Sequence, residues 1–149
     1  MAFLSGLCCI GLLMLGIGYV FHIPFLQVLQ HDARIAAAVM FMLIGYFHLA
    51  KPDKLTYMVE GMLPFPRLLV LGSGVLEILL GAGLLIPGMQ QYAATGLIIL
   101  LVMMFPANIR VAVKKLPAPG GLPASSWYTS SRLLFQPVYI LWIWWAVHV

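Results

Sequence analysis

The stretch Gly72–Gly83, GSGVLEILLGAG, places a single carboxylate inside an apolar run that extends over about residues 68–86. A run of this length can cross the hydrocarbon core of a bilayer as a helix. Glu77 would then lie about 15 Å from the start of the helix, near the midplane, at 1.5 Å per residue. A charge at that depth costs about 3 kcal/mol or more unless it is paired or neutralised. Because a serine and two glycines share its helical face, we expect Glu77 to face a neighbouring helix.

The composition requires lipid as the main solvent. The 149 residues are 63% hydrophobic and only 8% charged, whereas a soluble domain is about one quarter charged. The net charge of +4 comes without a basic stripe interleaved with aromatics, so nucleic acid is not an expected partner. Cys8 and Cys9 are adjacent and no CxxC motif is present, which argues against a disulfide framework and against thiol–disulfide chemistry.

Five apolar segments predict an all-α integral membrane bundle. The first is an N-terminal transmembrane helix within residues 1–27, which we expect to be retained because no basic region precedes it as in a signal peptide. A four-helix domain follows over residues 34–149, with spans at about 34–50, 68–86, 92–113 and 133–147.

Two connections in this plan carry specific expectations. The segment 51–67 is predicted to lie at the membrane interface as a short amphipathic helix followed by a Pro-x-Pro turn. A cluster of helix-breaking residues separates the last two spans: Pro117, Pro119, Gly120, Gly121 and Pro123.

The distribution of basic residues predicts the orientation of the chain. With five spans, seven of the eight Lys and Arg residues lie on one side, and only Arg34 lies on the other. The seven are Lys51, Lys54, Arg67, Arg110, Lys114, Lys115 and Arg132. Because positive residues favour the cytoplasmic side, the N-terminus is predicted to be cytoplasmic and the C-terminus extracytoplasmic.

Several polar residues cluster by depth. His48, Lys51, Asn108 and Arg110 fall in the cytoplasmic half of their spans, and Glu77 falls above them. The arrangement predicts a polar pocket that opens from the cytoplasmic leaflet, in which Glu77 is either protonated or paired with a cation. Two simpler interpretations stay open: the buried polar groups can hold the bundle together, and Lys51 and Arg110 can be snorkelling topology markers.

Metal and haem sites are not expected. His22, His31, His148 and Asp32 fall on the outer side, but no two of the histidines have i, i+4 spacing. The nine methionines are scattered through the spans, unlike a copper site. His22 and His48 lie at opposite ends of their spans and cannot share a haem. We therefore expect no metal and no tightly bound cofactor.

The chain from about residue 34 to residue 145 resembles the DoxX-like family of small bacterial membrane proteins. The resemblance rests on five pieces in order: GYFHLAKPDK at 45–54, LPFP at 63–66, GSGVLEILLGAGLLIP at 72–87, FPANIRVAV at 105–113 and LLFQPVYILWIWW at 133–145. It implies a four-helix DoxX-like core formed by spans two to five, with the first helix as an addition. The polar positions that carry over are His48, Lys51, Pro52, Glu77, Pro106, Asn108 and Gln136.

The resemblance also implies a function. Members of the family are associated with quinone-linked sulfur oxidation, with membrane oxidoreductase complexes and with receptor assembly. We therefore expect a redox-associated subunit of the bacterial inner membrane that binds a quinone or a similar lipophilic molecule. The residues that we expect to bind the ligand or relay a proton are Glu77, His48, Asn108, Lys51 and Arg110. The candidate partners are a membrane or soluble redox protein and further copies of the chain.

Two alternatives belong to other classes of function. One is a structural or assembly protein without catalysis, in which the polar set only fixes how the helices pack. The other is a proton-coupled small-solute transporter, in which Glu77 relays the proton. No residue is assigned as catalytic, and whether the protein is an enzyme stays open.

Overall fold

The described part of the chain is helical, with no strand. The computed structural model describes the backbone of residues 2–116 and 126–148 and the side chains of residues 3–116 and 133–148. The helices are α1 (Ala2–Val20), α2 (Leu29–Ala50), α3 (Pro66–Gly83), α4 (Gln90–Val113) and α5 (Ser126–His148). The all-α prediction is confirmed. The predicted loop at 117–123 lies outside the described residues, and so does the side chain of Arg132.

Four of these helices, α1 to α4, are long and apolar enough to cross a membrane. The part of α5 whose side chains are described, Leu133–His148, is a shorter apolar helix. Large apolar side chains on the outer surface stay exposed, for example Leu79 at 63% and Leu141 at 64%. This outer surface suits a lipid solvent, as the composition predicted. The crossing of the fifth span, and the four-helix DoxX-like core, stay predictions.

Several helix boundaries differ from those read from the apolar runs. The first helix ends at Val20, and Pro24–Gln27 forms a separate 3-10 turn. The second begins at Leu29 rather than at residue 34, which brings Asp32 into its first turn. An apolar run therefore marks the buried part of a helix better than its start. The last helix likewise begins seven residues before its predicted start at 133.

The segment between α2 and α3 is not the predicted amphipathic α-helix. It contains two 3-10 turns, Pro52–Lys54 and Thr56–Met58. The chain then turns at Phe65, which has a φ of 57° directly before Pro66, the first residue of α3. Because a following proline disfavours the right-handed helical region, α3 cannot extend backwards through Phe65. The predicted Pro-x-Pro turn is therefore present without the helix before it.

The tightest packing in the bundle joins α2 and α3, which run antiparallel. A Cβ atom added at Gly74 would lie 2.7 Å from His48 Cβ and 2.8 Å from the carbonyl oxygen of Gly45. The two backbones therefore touch at these glycines, as small residues permit between membrane helices. Helix α2 also contacts α1 and α5, and its alanines Ala36, Ala37 and Ala38 are buried. This makes α2 the central helix.

At one end of the bundle, where α2 and α4 end, α3 extends further than α2. We call this end the base and the offset between α2 and α3 the step. Glu77 lies 11 residues after the start of α3, about 16 Å along its axis, whereas α2 continues only two residues beyond His48. Since these two residues are in contact, α3 extends well past the end of α2. The two 3-10 turns pack against this part of α3 and form the floor of the interior.

Asp32 is fully buried near the other end of α2. Neither of its carboxylate oxygens has a hydrogen-bond partner among the described residues. One turn of α2 is tied to α5 beside it, because Trp142 Nε1 donates to the carbonyl oxygen of Ala33 at 3.0 Å. The histidines expected on this side, by contrast, are exposed or half-buried. Within the described residues, no three His, Cys, Asp or Glu side chains could hold a metal ion.

The Asp32→Asn variant is expected to unfold at a higher temperature than the parent protein. A buried carboxylate without a partner is costly, and the amide removes the charge while keeping the shape. Thermal unfolding in the same lipid measures the effect, with Asp53→Asn as the control because Asp53 is 77% exposed. A lower unfolding temperature for Asp32→Asn alone would mean that the carboxylate makes an interaction that the folded bundle needs.

Candidate functional site

The centre of the site is a pair formed by His48 of α2 and Glu77 of α3. His48 Nδ1 lies 2.7 Å from Glu77 Oε2, and both side chains are buried. Gly45 and Gly74 make this contact feasible, because they bring the two helices together at the same level. The prediction that Glu77 faces another helix is confirmed. The two groups lie side by side rather than at different depths, because the step at the base shifts α3 relative to α2.

The proton arrangement of the pair is constrained by Ser73. Ser73 Oγ donates to the carbonyl oxygen of Val70 at 2.9 Å and lies 3.3 Å from His48 Nδ1. The hydroxyl is thus oriented to accept from the imidazole. Although Glu77 Oε2 is close to Nδ1, no described residue offers it a partner that meets hydrogen-bond geometry. The contact therefore joins two titratable groups at short range without a well-aligned hydrogen bond.

A second polar group comes from α4 and α5. Asn108 Nδ2 donates to Gln136 Oε1 at 2.8 Å, and Gln136 Nε2 donates to the carbonyl oxygen of Leu101. Gln136 is buried, at 3% exposed. These bonds use both the donor and the acceptor ends of the Gln136 amide, which fixes its orientation. The Oδ1 atom of Asn108 is the acceptor of this side chain that a ligand could use.

Both polar groups line one partly open cavity of about 330 Å³. This volume is at the lower end of the range for small-molecule sites. Most of the wall is aromatic or aliphatic: Phe3, Phe41, Ile44, Phe47, Leu55, Met58, Leu101, Met104, Phe135 and Tyr139. The polar members are His48, Glu77, Asn108 and Gln136. An apolar cavity with a few convergent polar groups is typical of a site that binds an apolar molecule with a polar end.

Helix α1 contributes one wall through Phe3. Its ring lies 5.1 Å from that of Phe41, edge to face, and 4.5 Å from that of Tyr139, measured between centroids. These distances fall in the range that favours aromatic pairs. The N-terminal helix therefore completes the aromatic wall by joining α2 to α5.

The floor of the cavity is held by Arg110. Its Nη1 atom donates to the carbonyl oxygens of Tyr57 and Met58, both at 3.2 Å. Met58 and Leu55, which lie in the same two-turn segment, line the cavity. The guanidinium thus ties α4 to the segment that closes the base. Arg110 does not itself line the cavity, although the sequence placed it among the candidate site residues.

Substituting Arg110 with alanine is expected to loosen this floor. Hydrogen bonds to a charged donor are worth about 1.5–3 kcal/mol, so loss of both contacts should raise local opening by about tenfold or more. Limited proteolysis of residues 51–65 in lipid nanodiscs measures that opening. Lys114→Ala is the control, because Lys114 is exposed at the end of the same helix. Equal cleavage rates in Arg110→Ala and the parent would show that the floor does not depend on this contact.

The remaining candidates from the sequence lie elsewhere or in supporting positions. Lys51 is exposed and does not line the cavity, whereas Pro52 beside it is buried at the start of the first 3-10 turn. Pro106 lies inside α4 and is exposed on the outer surface. Sequence analysis did not identify the aromatic wall. Apolar periodicity marks such residues only as buried or lipid-facing, and it gives no sign that they surround a void.

Comparison with protein families places most of the chain in a single family. The model described as "Domain of unknown function (DUF8561)" matches residues 37–147. The chain belongs to this family. Neither the curated proteins nor the solved structures gave a match.

The DUF8561 region contains nearly the whole site. Every residue that lines the cavity falls within residues 37–147 except Phe3. Helix α1 and the first turns of α2, including the buried Asp32, precede the region. The DUF8561 domain thus supplies both polar groups and the floor, and the preceding helix supplies one aromatic side chain.

Proposed function

We propose that the protein is a multi-pass protein of the bacterial inner membrane that binds a quinone or a similar lipophilic molecule. It would act as a redox-associated subunit of the DoxX-like type. The observation that carries the proposal is the cavity, in which two separate polar groups interrupt an otherwise apolar wall whose side chains are half aromatic. The bias of basic residues to one side supports a cytoplasmic N-terminus.

The wall suits a planar ring with polar atoms at its edges. A quinone head has two carbonyl oxygens on opposite sides of a flat ring. The α2–α3 pair offers His48 and Glu77 near one part of the cavity, and the α4–α5 pair offers Asn108 and Gln136 at another. Phe41, Phe47 and Phe135 provide ring faces and edges for stacking. A proton held by His48 or Glu77 at one position, and the second N–H of Asn108 Nδ2 at the other, would donate to the two quinone oxygens and orient the ring.

The His48–Glu77 pair gives the site a source of protons. Reduction of a quinone takes up two protons and two electrons, so the site needs a group that can give and take a proton next to the ring. His48 and Glu77 lie 2.7 Å apart and each can carry one proton, so together they can deliver both protons to a bound quinone and be reprotonated through the open side of the cavity. In this proposal the electrons come from a redox partner, either a membrane protein or a soluble donor, and the chain binds the quinone and moves its protons.

A titration with a short-chain quinone tests the proposal. The purified protein in nanodiscs is titrated with a methyl- or decyl-substituted benzoquinone, and quenching of the native tryptophans is followed. Empty nanodiscs give the background, and an aliphatic alcohol of matched size gives the control for nonspecific partition. Saturable quenching by the quinone alone is expected. Quenching that rises linearly with quinone, as in membranes without a specific site, would contradict the proposal.

A structural role is the second candidate, and one observation favours it. The His48–Glu77 contact lies directly beside the closest approach of α2 and α3, at Gly45 and Gly74. Polar contacts between membrane helices can fix how they pack. In that case Glu77→Gln would lower the unfolding temperature and no quinone would bind the parent protein. The same titration and a thermal unfolding curve therefore separate the two candidates.

A further inference from the structure

One side chain of the cavity wall, Phe47, also faces the outside of the bundle. Among the described residues that line the interior cavity it alone is exposed, at 53%. The other lining side chains are buried or half-buried. An exposed side chain in the wall of a partly open cavity indicates where that cavity opens. The opening therefore lies beside Phe47, close to the base end of α2.

The position of α1 explains why Phe47 is uncovered. Gly6 of α1 packs against Met40, and Gly11 packs against Ala36, so α1 and α2 run antiparallel. Met40 and Phe47 are seven residues apart, which places them on one face of α2 and about 10 Å apart along its axis. From Gly6 toward the base, the described part of α1 continues for four residues, about 6 Å. Helix α1 therefore covers Met40 and stops short of Phe47.

Aromatic rings frame the opening on three sides. The ring of Phe3 bridges Phe41 of α2 and Tyr139 of α5. One turn nearer the base, the ring of Phe135 stacks on Tyr139 with the centroids 6.4 Å apart. The gap below Phe3, between Phe47 on α2 and Phe135 on α5, is called the entrance here. Its lower edge is the floor of the cavity.

The surroundings of the entrance are those of lipid near the membrane surface. Leu43 lies one turn above Phe47 on α2 and is 45% exposed, as expected of a side chain in contact with lipid. Lys51 lies one turn below Phe47 and is also exposed. Long basic side chains extend to the headgroup layer. The entrance thus lies between the lipid-facing surface of α2 and the headgroup layer at the base.

We propose that the ligand enters and leaves the interior cavity sideways, from the membrane, through this entrance, and that Phe47 controls the rate of passage. The proposal rests on the proposed function, since it names the route by which that ligand reaches His48 and Glu77. A route through lipid gives the site a criterion of selection besides the shape of the cavity. Its ligands are drawn from molecules that dissolve in the bilayer.

Blocking the entrance tests the proposal. Phe47→Cys is prepared with Cys8→Ser and Cys9→Ser and is modified with N-cyclohexylmaleimide. Stopped-flow tryptophan quenching in nanodiscs follows the association of tetramethylbenzoquinone, which is fully substituted and does not add to thiols. We expect association about tenfold slower than in the parent, because association rates vary by one to three decades among mutants, whereas a residue that only contacts bound ligand acts mainly through dissociation. An association rate equal to that of the parent would overturn the proposal.

The neighbouring residue provides the matched control. Tyr46 is 60% exposed and does not line the cavity, so Tyr46→Cys with the same modification should associate at the parent rate. Equal slowing at positions 46 and 47 would overturn the proposal, since the effect would not depend on the entrance. If Phe47→Cys does not fold, Phe135→Cys blocks the opposite side of the entrance. Leu134→Cys is then the control, because Leu134 is 67% exposed and does not line the cavity.

A spin label at position 47 distinguishes lipid from water as the source of the ligand. Collisions of the label with O2 dissolved in lipid should exceed those with a water-soluble nickel chelate, as for a label at Leu43→Cys. More frequent collisions with the chelate would show that the entrance opens to water and would overturn the proposal, with the proposed function intact. Absence of saturable quinone binding to the parent would refute the proposed function and the entrance proposal together. Saturable binding that the modification at position 47 does not slow would refute the entrance proposal alone.

Discussion

Glu77→Gln is expected to weaken binding of a short-chain quinone by about tenfold or more, and His48→Ala by at least as much. Each substitution removes a group that could exchange a proton with a quinone oxygen. A quinone oxygen only accepts, so the hydrogen bond comes from the proton that His48 or Glu77 holds; a bond of this kind from a charged donor is worth about 1.5–3 kcal/mol, and 1.4 kcal/mol corresponds to a factor of ten in Kd. The glutamine variant keeps the shape of the side chain, so its effect isolates the acidic group. Tryptophan quenching in nanodiscs measures the Kd.

The chain offers a matched control for this prediction. Glu60 is the other glutamate of the chain and is exposed in the segment below the cavity, so Glu60→Gln should bind quinone like the parent. Lys51→Gln should do the same, because Lys51 is exposed and does not line the cavity. Unaltered Kd values for Glu77→Gln and His48→Ala, in variants that unfold at the parent temperature, would show that the pair does not contact the ligand.

Gly74→Ala is expected to destabilise the packing of α2 against α3. The new Cβ would lie 2.7 Å from His48 Cβ and 2.8 Å from the carbonyl oxygen of Gly45, so α2 and α3 would have to separate. Overpacking of this kind costs about 1–3 kcal/mol, which outweighs the gain of about 1 kcal/mol from replacing a helical glycine. The separation would also pull His48 away from Glu77. We therefore expect a lower unfolding temperature and weaker quinone binding together.

Gly72→Ala provides the contrast on the same helix. Among the residues that the structure describes, no atom of a neighbouring element lies within 4 Å of a Cβ placed at Gly72. This variant should unfold at the parent temperature or above it, because alanine favours the helix. Thermal unfolding of both variants in one lipid composition measures the difference. Equal stability of Gly74→Ala and Gly72→Ala would mean that the two helices do not touch at Gly74.

The positions of the helices could be predicted from the sequence because a bilayer places one requirement on any chain that crosses it. A helix in a bilayer must satisfy its own backbone, so apolar runs of sufficient length mark its position. Their ends were less predictable. The second span was predicted to begin at about residue 34, but the helix begins at Leu29 and buries Asp32 completely. Hydropathy alone cannot predict that a carboxylate is buried inside a helix bundle.

The polar site was predictable in part, for a similar reason. Glu77 and His48 are costly in lipid, so they were predicted to line one polar pocket inside the bundle. They are in contact, and the predicted difference in depth between them was wrong. Lys51 and Arg110 have long side chains that can reach either the interior or the membrane interface, and the sequence does not show which of the two locations each side chain occupies. Arg110 bonds the floor and Lys51 is exposed. The cavity depends on lateral contacts among five helices, which no single segment encodes.

The most direct test is a density map of the protein purified with its native lipids. The account predicts density for a bound molecule inside the cavity, flat between the His48–Glu77 pair and Asn108. Mass spectrometry of the same sample should then identify a quinone-like molecule. A closed, empty interior, with Glu77 bonded only to protein groups, would contradict the account and assign the polar residues to holding the bundle together.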